Sequence, residues 1–225
     1  DMPVGSVSYS GFGTSVLEAD DATAIRTLLS LDAVVDVRDF GVVGDGSDES
    51  VGIQAALDSI TEGTVMFRVP PASYTFATTL DKPSNVSMIG VSRRGTLLTY
   101  TGVGKAISCS YANDTIDASV IANLTIYCTS TATDGIYCKG AESMIIRNVY
   151  IDNFTNAGIN GIHLDGACDY MQIRDCRVFS KVTGILLEDQ VTYGANTSVI
   201  IRDACHRCFG ARESTIQFTR GVRRS

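Results

Sequence analysis

Short runs of branched apolar residues, each interrupted by a single polar residue, recur along the second half of this chain. "VIANLTI" sets Ile121-Ala122-Asn123 before Leu124, and "IIRNVYI" sets Ile146-Arg147-Asn148 before Val149. "QIRDCRV" and "IIRDACH" repeat the arrangement with Asp175 and Asp203. The spacings are 146−121 = 25, 173−146 = 27 and 201−173 = 28. A second series, Gly135-Ile136, Gly161-Ile162 and Gly184-Ile185, runs between them with steps of 26 and 23. Two interleaved series at one period predict a solenoid, in which each unit buries its apolar face on its neighbours.

The repeating unit is made of strands, because its apolar runs are too short for helices and lack their 3.6 period. Three strands joined by turns make one coil of a parallel β-helix. Asn and Asp tolerate the left-handed backbone that a one-residue bend requires. Asn123, Asn148, Asp175 and Asp203 are therefore expected to stack as one column of turn residues. The fold class is all-β: a right-handed parallel β-helix of about four coils, with a short N-terminal capping helix and an N-terminal helical connector.

Three zones follow. Residues 1–34 contain "ADDATAIRTLLSL", whose Ile25, Leu28 and Leu29 make an amphipathic connector helix that needs a partner surface. Residues 35–100 hold the cap and first coil. There a helix near 48–60 is expected to close the end of the solenoid, capped by Ser47 or Asp48, with Val51, Ile53, Ala56, Leu57 and Ile60 inward. Residues 101–225 hold the coils. The end, "QFTRGVRRS", carries no clear cap, so further chain or another subunit is expected over the open strand edges.

The net charge of −7 argues against a nucleic-acid partner. No stretch is long and apolar enough for a membrane span, and "DMPVGSVSYSGFG" lacks the regions of a secretory signal. The cysteines number seven. Alternation puts Cys128, Cys138 and Cys176 inside, as core thiols suited to folding in a reducing cytoplasm. "CHRC" at 205–208 has no second Cys/His pair nearby, so neither a metal nor another cofactor is expected.

If Ile136, Ile162 and Ile185 face the core, then Tyr137, His163 and Leu186 face outward, followed by Lys139, Asp165 and Glu188. Coils about 4.8 Å apart make Asp165 and Glu188 neighbours. Two close carboxyls suit a retaining glycosidase, whereas a basic residue beside them suits proton abstraction in a lyase. The candidate catalytic residues are Asp165, Glu188 and His163, on a strand whose Gly161, Gly166 and Gly184 would admit a sugar ring. Lys139, Tyr137 and the column Arg147, Arg174 and Arg202 are candidate glycan contacts, the arginines through bidentate bonds to carboxylates. A solvated ladder, or a subunit interface for the arginines, would use the same residues.

"DFGVVGDGSDESVGIQAALDSI", followed by "GTVMFRVPPASYTF" and "SNVSMIG", resembles the opening of the pectate-lyase-like right-handed β-helix family. The match covers about residues 39–90, departing from the family at Arg68-Val69 and Ala72 near the bend. The segment "ADDATAIRTLLSLDA" is similar to the short helix preceding such domains in bacteriophage tailspikes and tail fibres. This resemblance implies a virion protein, folded in the host cytoplasm. It would be a homotrimer attached to other tail proteins through its N-terminal segment. It would recognise a bacterial surface polysaccharide during host adsorption, with depolymerisation left open. The alternatives are a non-catalytic connector of the phage tail and a secreted pectin-type lyase or hydrolase.

Overall fold

The computed structural model describes residues 34–68, 72–128, 132–152, 160–166, 168–180, 183–188, 199–202, 205–208 and 216–218. The connector helix expected within residues 1–34, and Asp203 of the turn column, fall outside them.

The described chain is a parallel β-solenoid of about five turns, one more than the repeats indicate, with a single α-helix. A six-stranded sheet is built, in spatial order, from Leu80–Asp81, Gly104–Ile116, Ala132–Glu142, Asn160–Asp165, Thr183–Glu188 and Ile216–Phe218. A twelve-stranded sheet supplies the other two sides, because Val120–Cys128 and Ile145–Asp152 each run round a bend and belong to both flanks. Every pairing between neighbouring coils is parallel.

The bends are made as the polar breaks require. Asn123, Asn148 and Asp175 have φ of 59°, 50° and 55°, the left-handed region these side chains tolerate. The Asn148 amide donates to Asn123 Oδ1 at 2.9 Å, so the column is also tied by its side chains. The interruption inside "IIRNVYI" is thus a corner.

The helix Ser50–Asp58 covers the open end of the six-stranded sheet, burying Ile53, Ala56 and Leu57. Gln54 holds it to the first strand, donating to the Asp81 carbonyl and accepting from the Asp81 amide, both at 2.9 Å. Its N-cap position is Glu49, which makes no side-chain capping bond; instead Asp48 Oδ1 accepts from the Ser50 amide at 3.1 Å. Val51, expected inward, is 85% exposed, because it lies on the side of the helix turned away from the first coil.

Side chains alternate in and out along the strands, filling the interior with Ile121, Leu124, Ile126, Ile136, Ile146, Ile162 and Ile185. Cys128, Cys138 and Cys176 are buried thiols among them. Within this end of the solenoid Lys82 is fully buried against Asp117 at 3.0 Å. Its ammonium also donates to Ser119 Oγ and to the carbonyls of Pro83 and Val86. A buried charge persists only with such a complete set of partners.

Candidate functional site

The outer face of the six-stranded sheet gathers most of the expected residues. Register sets Ser108, Tyr137, His163 and Leu186 side by side on successive coils, and Asp165 beside Glu188. One rung earlier run Lys105, Asp134, Asn160 and Thr183. Adjacent coils are about 4.8 Å apart, so long side chains reach their diagonal neighbours.

His163 spans the face. Its Nδ1 lies 2.9 Å from Asp134 Oδ1 and its Nε2 lies 3.0 Å from Glu188 Oε2. Ionised carboxylates only accept hydrogen bonds, so both contacts are satisfied together only when both ring nitrogens donate, as in the imidazolium. Burial works against that charge, but the bonds and charges of Asp134, with Glu188 and Asp165 behind them, hold its pKa above the ordinary histidine value. Asp134 shows the converse. Burial opposes its ionisation, yet bonds from His163, Asn160 and Thr133 keep its pKa below the usual carboxylate range.

Tyr137 lies at the centre. Its hydroxyl donates a short hydrogen bond to Asp165 Oδ2. Its ring meets His163 edge-on at 5.2 Å, and Lys105 Nζ sits 3.0 Å from the ring centroid. Burial, the bond to Asp165 and the charges of Asp165 and Asp134 push the phenol pKa upward, so Tyr137 stays a neutral donor. Burial draws the Lys105 pKa down, opposed by Asp134 and Asp165. Lys139 Nζ stands 4.0 Å from Asp165 Oδ2.

Two expectations need correction. Tyr137 and Asp165 point outward from the strands but are only 5% exposed, because neighbouring coils cover them with Lys105, Lys139 and one another. Gly161 makes no room for a sugar: a Cβ there would lie 1.9 Å from Val178 Cγ1 and 2.6 Å from the Gly184 carbonyl, so the space is already filled by the core.

Asp165 also carries an uncompensated feature. Its side chain is 7% exposed and its Oδ1 is buried with no hydrogen-bond partner among the described residues. An unsatisfied carboxylate oxygen of this kind costs more than a made hydrogen bond gains, and native structures rarely leave one unless water, an ion or a ligand completes it.

The arginine column forms in register but elsewhere. Arg147, Arg174 and Arg202 pair directly across coils on one flank of the twelve-stranded sheet, all exposed. The structure therefore separates them from the Tyr137–Asp165 face. Asp134 and Lys105 were missed from the sequence. Asp134, Asn160 and Thr183 do occupy one repeat position, the residue before each Gly-Ile, and that signal was available. Among the described residues no cluster of three or more His, Cys, Asp or Glu could hold a metal. The side chains of "CHRC" lie outside the described set.

Neither a family model nor a curated protein matches this chain. Solved structures do. The A-module of mannuronan C-5 epimerase AlgE4 from Azotobacter vinelandii aligns with a TM-score of 0.60 at 17% identity, covering 76% of this chain and 51% of that one. Tailspike protein 3 of bacteriophage CBA120 aligns at 0.57 and 14% identity, over 79% of this chain and 29% of that one. The ORF18 protein of Geobacillus virus E2 gives 0.55 and 15% identity, over 84% and 44%. This chain spans about half or less of each protein's length. At such identities the likeness establishes the shared β-solenoid and nothing finer.

Proposed function

We propose that this chain is a bacteriophage tail component whose β-helix, coiled right-handedly, recognises a bacterial surface polysaccharide on the outer face of the six-stranded sheet. The observation that carries the reading is Asp165 Oδ1, a buried carboxylate oxygen lacking a hydrogen-bond donor among the described residues. A sugar hydroxyl is a donor of the right kind, and Lys139, Lys105 and Glu188 surround the position with further polar groups. The fold shared with two phage proteins and a polysaccharide-modifying module supports the setting. A homotrimer in the virion, joined to other tail proteins, belongs to the same reading.

The chemistry of the face favours binding over cleavage. Proton abstraction needs a free base, but both ring nitrogens of His163 are engaged by Asp134 and Glu188, and the Tyr137 hydroxyl donates to Asp165. A retaining glycosidase needs one carboxylate free to attack, whereas Asp165 is bonded to Tyr137 and Glu188 to His163.

The test is titration of the chain with a panel of capsular and O-antigen polysaccharides, alongside Asp165→Ala. Wild type should bind at least one polymer, and Asp165→Ala should bind it about tenfold or more weakly, the value of one charged hydrogen bond. Release of reducing ends or of unsaturated products by wild type would replace binding with depolymerisation. Wild type binding none of the panel, or the variant binding as tightly as wild type, would overturn the proposal.

A further inference from the structure

A second groove lies on the flank of the twelve-stranded sheet formed by Thr96–Tyr100, the far half of Val120–Cys128, the far half of Ile145–Asp152, and Arg177–Ser180. It is a cavity of about 350 Å³ lined by Arg93, Arg94, Leu97, Thr125, Tyr150 and Arg177. Leu97, Thr125, Tyr150 and Arg177 are direct partners on four successive coils. They make a floor roughly 14 Å long, from three steps of about 4.8 Å.

The groove is built rigidly. The turn carrying Arg93 and Arg94 is closed by bonds from the Gly95 and Thr96 amides to the Ser92 carbonyl, at 3.1 and 3.0 Å. Thr125 Oγ1 pins it to the floor by donating to the Arg93 carbonyl at 2.5 Å. The Tyr150 ring is braced edge-on by Phe179 at 5.5 Å, and its hydroxyl donates to Asp152 at 3.1 Å.

Three arginines therefore line one cavity in a chain whose net charge is −7. Among the described residues none of the three forms an ion pair. Like charges so gathered repel unless an anion joins them. A guanidinium fork matches a carboxylate through two parallel bonds, and Leu97 with the Tyr150 ring offers an apolar floor to the C–H face of a sugar. Duplex DNA fits less well: its phosphates come about every 1.7 Å of helix axis, so the acidic chain repels it more than a polyuronate with one carboxylate per sugar.

We infer that this groove is a second glycan site, selective for an acidic polysaccharide whose uronate carboxylates seat on Arg93, Arg94 and Arg177. The inference rests on the polysaccharide-binding reading and adds to it the charge class of the polymer and a separate surface.

The experiment uses the full chain with polygalacturonate, its carboxyl-reduced neutral derivative and a short duplex DNA, in wild type, Arg93→Gln/Arg177→Gln and Asp165→Ala. Both arginine positions reach solvent, and matching thermal midpoints confirm that the double variant is folded. Polygalacturonate should bind wild type more tightly than either comparison polymer, with affinity falling as salt rises. The double variant should lose about tenfold or more, the scale of one or two charged hydrogen bonds. Asp165→Ala should keep the arginine-dependent binding. Unchanged polygalacturonate affinity in the double variant overturns the inference, even if Asp165→Ala abolishes binding and the other reading stands. Duplex DNA binding as tightly as polygalacturonate also overturns it, leaving an unselective cationic patch. Arginine-dependent uronate binding, with no polysaccharide sensitive to Asp165→Ala, upholds this groove and removes the other site.

Discussion

Replacing His163 with Leu tests the electrostatic design of the six-stranded face. The substitution removes the cation between Asp134 and Glu188 while roughly keeping the volume. The Asp134 side chain is 6% exposed and would keep only its bonds from Asn160 and Thr133. Stripping the partner from a buried charge costs about 3–5 kcal/mol, and the two surviving donors lower the expectation to about 2–4 kcal/mol. Glu188 is 42% exposed, so its half of the bridge adds no more than about 1 kcal/mol after solvent screening. At about 2–4 °C per kcal/mol for a chain of this size, the thermal midpoint should fall by about 5–15 °C.

The dependence on pH has a definite sign. The folded-state pKa of His163 is raised, so its contribution is fully present below the unfolded value of about 6.5 and is lost as pH rises through the folded value. The pKa of Asp134 is lowered, so its contribution is present above about 3.9 and is lost as pH falls through the folded value. The gap between wild type and His163→Leu should be widest between about pH 4 and 6.5 and should shrink in alkali. Thermal melts followed by far-ultraviolet circular dichroism across that range measure it. An equal gap at about pH 5 and about pH 9 would refute the imidazolium bridge.

Lys82→Met leaves Asp117 buried without its cation and should cost about 3–5 kcal/mol in denaturant titrations, whereas Lys82→Met/Asp117→Leu should recover part of that loss; additive losses would mean the pair is uncoupled. Gly161→Ala drives a methyl group into Val178 and should cost about 1–3 kcal/mol, relieved when combined with Val178→Ala, as read by the same titrations. Burial pushes the thiol of Cys128 up to about 12 and that of Cys176 to about 11. Both should resist alkylation by iodoacetamide in the native chain at neutral pH and react on unfolding, as followed by peptide mass mapping.

What the sequence determined by itself was the solenoid. The recurring Asn or Asp after Ile-x marks corners because a one-residue bend needs a positive φ, and Asn123, Asn148 and Asp175 have it. The alternation that put Ile136, Ile162 and Ile185 inside follows from the two-residue period of a strand, a local property that needs no knowledge of neighbours. The repeat phase also placed Asp165 beside Glu188 and stacked Arg147, Arg174 and Arg202, because parallel register follows directly from the spacing.

Environment was decided only by the tertiary structure. Pointing outward is a property of the strand, but being wet depends on what the adjoining coils place alongside. Tyr137 and Asp165 are covered because Lys105 and Lys139 happen to lie over them. His163 bridges Asp134 and Glu188 diagonally, at distances that depend on rotamers and on the twist between coils, which no spacing encodes. Arg93 and Arg94 sit in a turn outside the repeat, and only the stacking of four coils brings them to Tyr150 and Arg177. Periodicity is local and additive, so the sequence displays it openly. Burial and charge pairing are sums over residues from distant parts of the chain, and they take values only once the coils are stacked.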